Sequence, residues 1–159
     1  MKTAGFTLVE QIIVILILGI LAVSAYPLFQ GKRGISEYTY QARLISALRH
    51  MQMRAMQDTR SSTCHWFYLD ADEFAPTTSQ NCAAPGTADN NAPDYLKAIG
   101  EMANDNVTLS GYSGTLYFDS WGRPRNGSGA ICSASCRIIL TGQAAPAVCI
   151  ESEGYIHGC

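Results

Sequence analysis

Glu10 is the only charged side chain in an otherwise apolar run from Phe6 to Phe29. A carboxylate placed in the hydrocarbon of a bilayer costs about 3 kcal/mol and tends to mark a functional partner. A buried carboxylate is tolerated when a cation compensates its charge. The residue type and its position therefore predict that Glu10 pairs with a positive group.

Cysteine is the second residue type that could carry chemistry. An even number of cysteines confined to a polar segment is typical of an exported domain held by disulfides. Zinc binding is the competing interpretation, but the paired CxxC spacing of structural zinc sites is absent and the histidines are scattered. All six cysteines follow the apolar run, at Cys64, Cys82, Cys132, Cys136, Cys149 and Cys159.

No arrangement of a nucleophile and a base stands out in the rest of the chain. His50, His65 and His157 fall on separate predicted elements. The segment 127–129 lacks the lysine and helix start of a phosphate-binding loop. The carboxylates and amides of 89–94 could bind calcium, but an EF-hand pattern and its closing glutamate are absent, which favours a solvated turn. We therefore expect neither an enzyme nor a cofactor.

The elements that position Glu10 begin at the amino terminus. Residues 1–5 form a short polar leader, and the apolar run starts at Phe6 without the spacer and small-residue cleavage site of a secretory signal peptide. A helix needs roughly 20 apolar residues to cross a bilayer. The sequence thus predicts a leader over 1–5 and a membrane-spanning helix over 6–29.

The hexapeptide from Gly5 to Glu10, GFTLVE, resembles the processing motif of type IV prepilins and type II secretion pseudopilins. The resemblance implies that a membrane peptidase cuts after Gly5 and methylates the new amino group of Phe6. It also implies that Glu10 pairs with the amino terminus of a neighbouring subunit in a filament. Partners would be the prepilin peptidase, the inner-membrane assembly platform and other pilins.

Two residues weaken the predicted first helix. Proline inside a helix removes a hydrogen bond and clashes with the preceding turn, and glycine costs about 1 kcal/mol relative to alanine. These residues are Pro27 and Gly19. One interpretation is that the helix stretches there within a filament; the other is that Pro27 marks the exit from the membrane.

Residues 30–159 are predicted to form one disulfide-stabilised α+β domain. Residues 35–60 have apolar side chains at helical spacing, with a stripe expected at Ile35, Tyr38, Ala42, Ile45, Leu48 and Met56 and widened by Leu44 and Met51. Five short β-forming segments follow, at 64–69, 107–109, 115–118, 137–140 and 147–150. A helix stripe and a sheet face bury each other most economically, which predicts the helix packed across one antiparallel sheet, as in the type IV pilin fold. A short helix over 93–103 is also possible.

Six cysteines can pair in many ways. Cys149 and Cys159 would meet across a final hairpin that turns at 153–155. Cys132 and Cys136 flank a three-residue loop, which leaves Cys64 to pair with Cys82. We prefer this set among the alternatives.

The carboxy-terminal third resembles minor pilins and pseudopilins of the H/T type. The resemblance rests on Leu116–Pro124, with its Phe-Asp-x-x-Gly-Arg turn, on Cys136–Leu140, and on Val148–Ile156, with a glycine in the last hairpin. The helix segment Leu48–Ala55 is similar to theirs as well. One departure is that Tyr155 stands where an arginine usually follows that glycine. Minor pilins of the mannose-sensitive haemagglutinin (MSHA) pilus resemble the chain most among such systems.

The resemblance implies a structural minor pilin, anchored in the inner membrane with a periplasmic domain and then placed in or near the tip of a pilus, with adhesion as a further role. Two alternatives are a type II secretion pseudopilin and a pilin that captures DNA. After residue 62 the chain has ten acidic and four basic side chains, and its net charge is -2. A DNA surface needs clustered Lys and Arg, so nucleic acid is the weaker prediction.

Overall fold

The computed structural model describes residues 7–30, 34–60 and 62–159, the side chains of 25–30 excepted. The chain divides into two compact units, Met1–Arg33 and Gly34–Cys159. The first unit contains helix α1, Leu8–Gln30. The second contains all the other helices and strands described below.

Helix α1 is apolar on every side. Its large hydrophobic side chains from Leu8 to Val23 are all at least half exposed or close to it, and no face of the helix is polar. The helix is continuous through Gly19 and Pro27. Among the residues described, no helix has both the length and the apolar character needed to cross a membrane.

Helix α2, Ser36–Gln57, packs its inner face on the sheets. The buried face is formed by Glu37, Tyr40, Leu44, Ala47, Leu48, Met51 and Ala55. The predicted stripe was therefore partly wrong: Ile35, Tyr38 and Met56 are exposed, whereas Leu44 and Met51 form the core. Ala42, also part of the predicted stripe, is exposed as well, whereas Ala47 and Ala55 are buried between the larger side chains of the inner face.

Within the part of the chain that the structure describes, nine short strands form two antiparallel sheets rather than the single sheet expected. The order is β2-β1-β4-β5-β6 in one sheet and β3-β7-β8-β9 in the other. The strands are β1 Phe67–Leu69, β2 Phe74–Pro76, β3 Thr108–Gly111, β4 Gly114–Phe118, β5 Pro124–Asn126, β6 Gly129–Ala130, β7 Ser135–Thr141, β8 Ala147–Glu151 and β9 Ile156–Gly158.

The core lies between α2 and the two sheets. Leu44 and Leu48 from the helix are fully buried with Leu116 of β4 and with Ile138 and Ile150 of β7 and β8. The α+β class and the packing of a helix on antiparallel strands are confirmed, and this arrangement is consistent with the type IV pilin fold. The short helix expected over 93–103 is instead the four-residue α3, Glu101–Asn104.

Candidate functional site

Glu10 lies in the first turn of α1. The backbone N–H of Glu10 donates to Thr7 Oγ1 at 3.3 Å, which caps an otherwise unpaired N–H at the start of the helix. Leu8 and Val9 beside it are largely exposed, so the carboxylate lies on an uncovered apolar surface of this unit. Gly5 and Phe6, where cleavage and methylation are predicted, lie outside the described residues.

Three disulfides join the cysteines of the globular unit in the pairs preferred from the sequence. Their Cα atoms are 4.8 Å apart for Cys64–Cys82, 4.7 Å for Cys132–Cys136 and 5.9 Å for Cys149–Cys159. The first holds the loop that follows β2 against the segment before β1. The last crosses the final hairpin diagonally, because Cys149 lies opposite His157 in the ladder.

A single side chain of α2 fastens two turns of the globular unit. Gln52 Nε2 donates to the carbonyl oxygens of Gly122 and Gly154, at 2.7 Å in each case. Both glycines have positive φ, 78° and 90°, and a Cβ on Gly154 would clash with Gly122 O. Glycine is therefore required at this contact, and the two turns form one joint at the carboxy-terminal end of the helix.

Asp119 organises the first of these turns. Its Oδ1 accepts hydrogen bonds from the backbone N–H groups of Trp121 and Arg123, and its Oδ2 accepts from the side chains of Arg123 and Arg125. Burial alone would raise the pKa of Asp119, but these hydrogen bonds outweigh it and lower the pKa. The carboxylate is thus committed to structure, and it is shared between the guanidinium groups of Arg123 and Arg125.

Glu37 fastens the opposite end of α2. Its side chain is 2 % exposed, and Oε1 accepts hydrogen bonds from the backbone N–H groups of Gln143 and Ala144. A Cβ on Gly142 would clash with this carboxylate. Burial opposes the charge, but the backbone donors lower the pKa of Glu37 overall. The loop between β7 and β8 therefore binds the carboxylate of Glu37 through its backbone N–H groups.

The histidines lie apart, as the sequence indicated. His65 is 4 % exposed, and its Nε2 lies 3.1 Å from Asp58 Oδ2. His157 stacks on Tyr155 and lies 3.1 Å from Glu151 Oε1. His50 contacts the ring of Tyr95 edge-on. None of these pairs includes a nucleophile.

In the loop considered for calcium binding, the oxygens face the ammonium group of Lys97. Lys97 Nζ donates to the carbonyl oxygen of Asn90 at 2.6 Å and lies 3.6 Å from Asp94 Oδ1. Asp89 accepts a hydrogen bond from the backbone N–H of Asn91. The oxygens considered as metal ligands therefore serve the loop itself. Within the described residues, no three carboxylate, cysteine or histidine side chains lie close enough to hold a metal ion.

The contacts that Glu37 and Gln52 make with distant loops were not predicted from the sequence. Both lie in the predicted helix at positions that share its buried side, and a polar residue within an apolar stripe is the signal that could have found them. Their partners could not be found in this way, because they are backbone groups of distant loops.

Comparison with known protein families identifies the amino-terminal segment. The chain matches a model of the prokaryotic N-terminal methylation motif over residues 1–26. No curated protein and no solved structure matches the chain. The matched segment includes Gly5, Phe6 and Glu10, the residues of the predicted processing site.

A methylation motif of this kind implies processing by a prepilin peptidase and assembly with other pilins. Proteins that carry it are structural rather than enzymatic, and the motif is associated with inner-membrane anchoring that precedes assembly into a pilus. The motif at 1–26 and the α+β unit behind it together support a prepilin-type, type IV pilin-like protein.

Proposed function

We propose that this chain is a minor pilin, a structural subunit of a type IV pilus that takes part in filament assembly at or near the tip. The observation that carries the proposal is the methylation motif at residues 1–26, with Glu10 as the single charge of an apolar helix. Cleavage after Gly5 would leave Phe6 as the methylated amino terminus. The membrane span over 6–29 and stretching at Gly19 and Pro27 belong to the same proposal.

Exposed apolar side chains on and beside α2 support assembly. Away from the core face, Tyr38, Met53 and Met56 are exposed, as is Ile35 immediately before the helix, whereas Ile45 is half-buried against the core. Ile35 and Tyr38 lie at the start of the helix and Met53 and Met56 near its end, with the exposed side chain of Arg49 between the two pairs. Clusters of exposed apolar side chains can mark interaction sites. In the proposed filament, helices of neighbouring subunits cover these side chains.

Glu10→Ala tests the proposal. The variant should be processed normally and keep its globular fold, because the change lies in a separate unit. Its incorporation into filaments should fall by at least about tenfold, since the amino terminus of a neighbour loses its partner. The measurement is the ratio of filament-bound to cell-bound subunit after shearing, with Gln11→Ala as the matched control on the same helix.

Mass spectrometry of the mature subunit completes the experiment. The expected amino terminus is methylated Phe6, and Gly5→Val should leave the full precursor in the membrane. A Glu10→Ala subunit that enters filaments as well as the wild type would refute the pairing. Incorporation into a secretion pseudopilus instead of a retractable pilus would assign the chain to the type II secretion alternative.

A further inference from the structure

Asn126 lies at the tip of the hairpin formed by β5 and β6, and it is the only one of the six asparagines that is followed by glycine. It pairs with Gly129 in the ladder, so the turn consists of Gly127 and Ser128. Both turn residues are exposed, and among the described residues no atom lies within 4 Å of a Cβ built on Gly127. Nothing packed around Gly127 therefore obstructs a change in the peptide group that follows Asn126.

The side-chain amide of Asn126 is folded back over this peptide group. The backbone N–H of Ser128 donates to Asn126 Oδ1 at 2.9 Å, so the side chain forms an Asx turn. Because Oδ1 reaches the nitrogen two residues ahead, Cγ lies over the intervening nitrogen, that of Gly127. The same hydrogen bond polarises the Cγ–Oδ1 bond, and it would stabilise negative charge that develops on Oδ1.

We propose that Asn126 is a site of spontaneous deamidation in the folded protein. The backbone nitrogen of Gly127 loses its proton and bonds to Asn126 Cγ, and Oδ1 takes up the negative charge. The Cγ–Nδ2 bond then breaks, which releases ammonia and leaves a five-membered succinimide ring. Water opens the ring at either carbonyl and gives aspartate or isoaspartate. One water is consumed and one ammonia is released, so the reaction needs neither an oxidant nor a cofactor.

Asn81 has the same turn without the glycine. Its Oδ1 accepts a hydrogen bond from the backbone N–H of Ala83 at 2.9 Å. The residue that follows is Cys82, whose side chain is bonded to Cys64. A side chain on the following residue hinders the approach of its nitrogen to Cγ, whereas glycine leaves the backbone free to adopt the ring geometry. We therefore assign the reaction to Asn126 and not to Asn81.

Deamidation would change both the charge and the backbone of the hairpin. Either product adds one negative charge to a chain whose net charge is -2. Isoaspartate also routes the main chain through Cβ, so one backbone atom is added where β5 enters the turn. This atom lies next to the Asn126–Gly129 pair. The isoaspartate form should therefore weaken the pairing of β5 with β6 more than the aspartate form does.

The test follows the full chain in detergent during incubation at body temperature and mildly alkaline pH. Peptide mapping by mass spectrometry measures the conversion of amide to acid at each asparagine and distinguishes aspartate from isoaspartate. We expect Asn126 to convert at least about tenfold faster than Asn81. Its rate should also be no lower than in the same chain after reduction and denaturation, because the fold already orients Cγ toward the attacking nitrogen.

Gly127→Ala tests the role of the glycine. This variant should fold as the wild type does, because open space surrounds the position and its φ is not positive. It should slow the conversion of Asn126 by about tenfold. Ser128→Ala is the matched control, since it keeps the donating N–H and should leave the rate unchanged.

Two results would overturn the proposal. If Asn126 stays an amide in the folded protein while the denatured chain converts, the hairpin protects the residue instead of exposing it. If wild type and Gly127→Ala convert at the same rate, Gly127 does not take part in the reaction as described. Because the reaction requires neither a peptidase nor a filament, its outcome is independent of the proposed function.

Discussion

His65 is a titratable side chain in the interior of the globular unit. It packs where the end of α2 meets the segment leading to β1, and its charged neighbours are Asp58, Arg54 and Arg60. Burial is the largest influence on the imidazole and lowers its pKa, Arg54 acts in the same direction, and the hydrogen bond to Asp58 opposes both. The native state therefore favours neutral His65.

The buried histidine should make the fold sensitive to mild acid. In the unfolded chain His65 takes up a proton near its ordinary pKa of 6.5, while the folded protein takes it up only at lower pH. The unfolded state thus binds more protons in this window, and stability falls as the pH drops below about 6.5. Between pH 7 and 5 the wild-type Tm should fall by roughly 2–4 °C more than that of His65→Gln.

His157→Gln is the control, because His157 contributes to the pH dependence of stability with the opposite sign. The hydrogen bond to Glu151 raises the pKa of His157, so its small contribution is present at low pH and is lost as the pH rises. Thermal melts of the three proteins across this range decide the matter. Equal pH dependence of wild type and His65→Gln would show that His65 does not titrate as described.

At the scale of elements, the choice of buried face on α2 could not be predicted from periodicity. The helix carries apolar residues on two opposite sides, and spacing alone does not say which side meets the strands. Tyr40 and Leu44 lie on the buried side, whereas Tyr38 and Met53 lie on the exposed one. The difference is made by small residues and by satisfied polar groups, which depend on tertiary contacts.

Some strands could be predicted from the sequence, and others could not. β4, β7 and β8 are rich in β-branched and aromatic residues and were placed correctly from the sequence. β5 and β6 have sequences Pro-Arg-Asn and Gly-Ala, which have little intrinsic preference for a strand. They pair across the two-residue turn formed by Gly127 and Ser128, where the backbone N–H of Ser128 donates to Asn126 Oδ1 at 2.9 Å. The division of the strands between two sheets has no comparable local signal in the sequence.

Gly154 holds the joint between the final hairpin and the Asp119 turn. Gly154→Ala should lower the free energy of unfolding by about 2–4 kcal/mol, because the new Cβ meets a backbone carbonyl that cannot move aside and because φ is positive. Gly127→Ala is the matched control, since open space surrounds that position and its φ is not positive. Denaturant unfolding of both variants measures the difference. A Gly154→Ala protein as stable as Gly127→Ala would contradict the described packing of the two turns.

At the scale of the whole molecule, the amino-terminal motif and the cysteine content of the sequence indicate a prepilin-type protein with an exported, disulfide-bonded domain. The apolar run is stable in lipid and the polar domain is stable in water, because exposing apolar surface to water or burying polar groups in lipid is unfavourable. The backbone contacts of Glu37 and the meeting of two turns under Gln52 were not predicted, because each joins residues distant in sequence. Charge is partly predictable: the sequence gives the net charge, but it does not show which charged side chains form ion pairs.

Pairing decides whether the globular unit can bind nucleic acid. Residues 34–159 contain twelve acidic and eight basic side chains. Among the described residues, five of the eight basic groups form ion pairs with carboxylates: Arg43, Arg60, Lys97, Arg123 and Arg125. Arg49 donates to the backbone carbonyl of Ile156. Little positive charge is left to meet phosphate groups.

The full chain in detergent should therefore bind duplex DNA only weakly, with a Kd above roughly 10 µM at physiological salt. Few phosphates would be neutralised, so the Kd should change little between low and moderate salt. Asp119→Asn provides an internal comparison, because it frees the two arginines of that turn and should tighten binding and steepen its salt dependence. Fluorescence anisotropy with a labelled duplex measures all of these quantities. Micromolar binding by the wild type, steeply dependent on salt and abolished by replacing Arg123 and Arg125, would overturn the structural assignment and favour a pilin that takes up DNA.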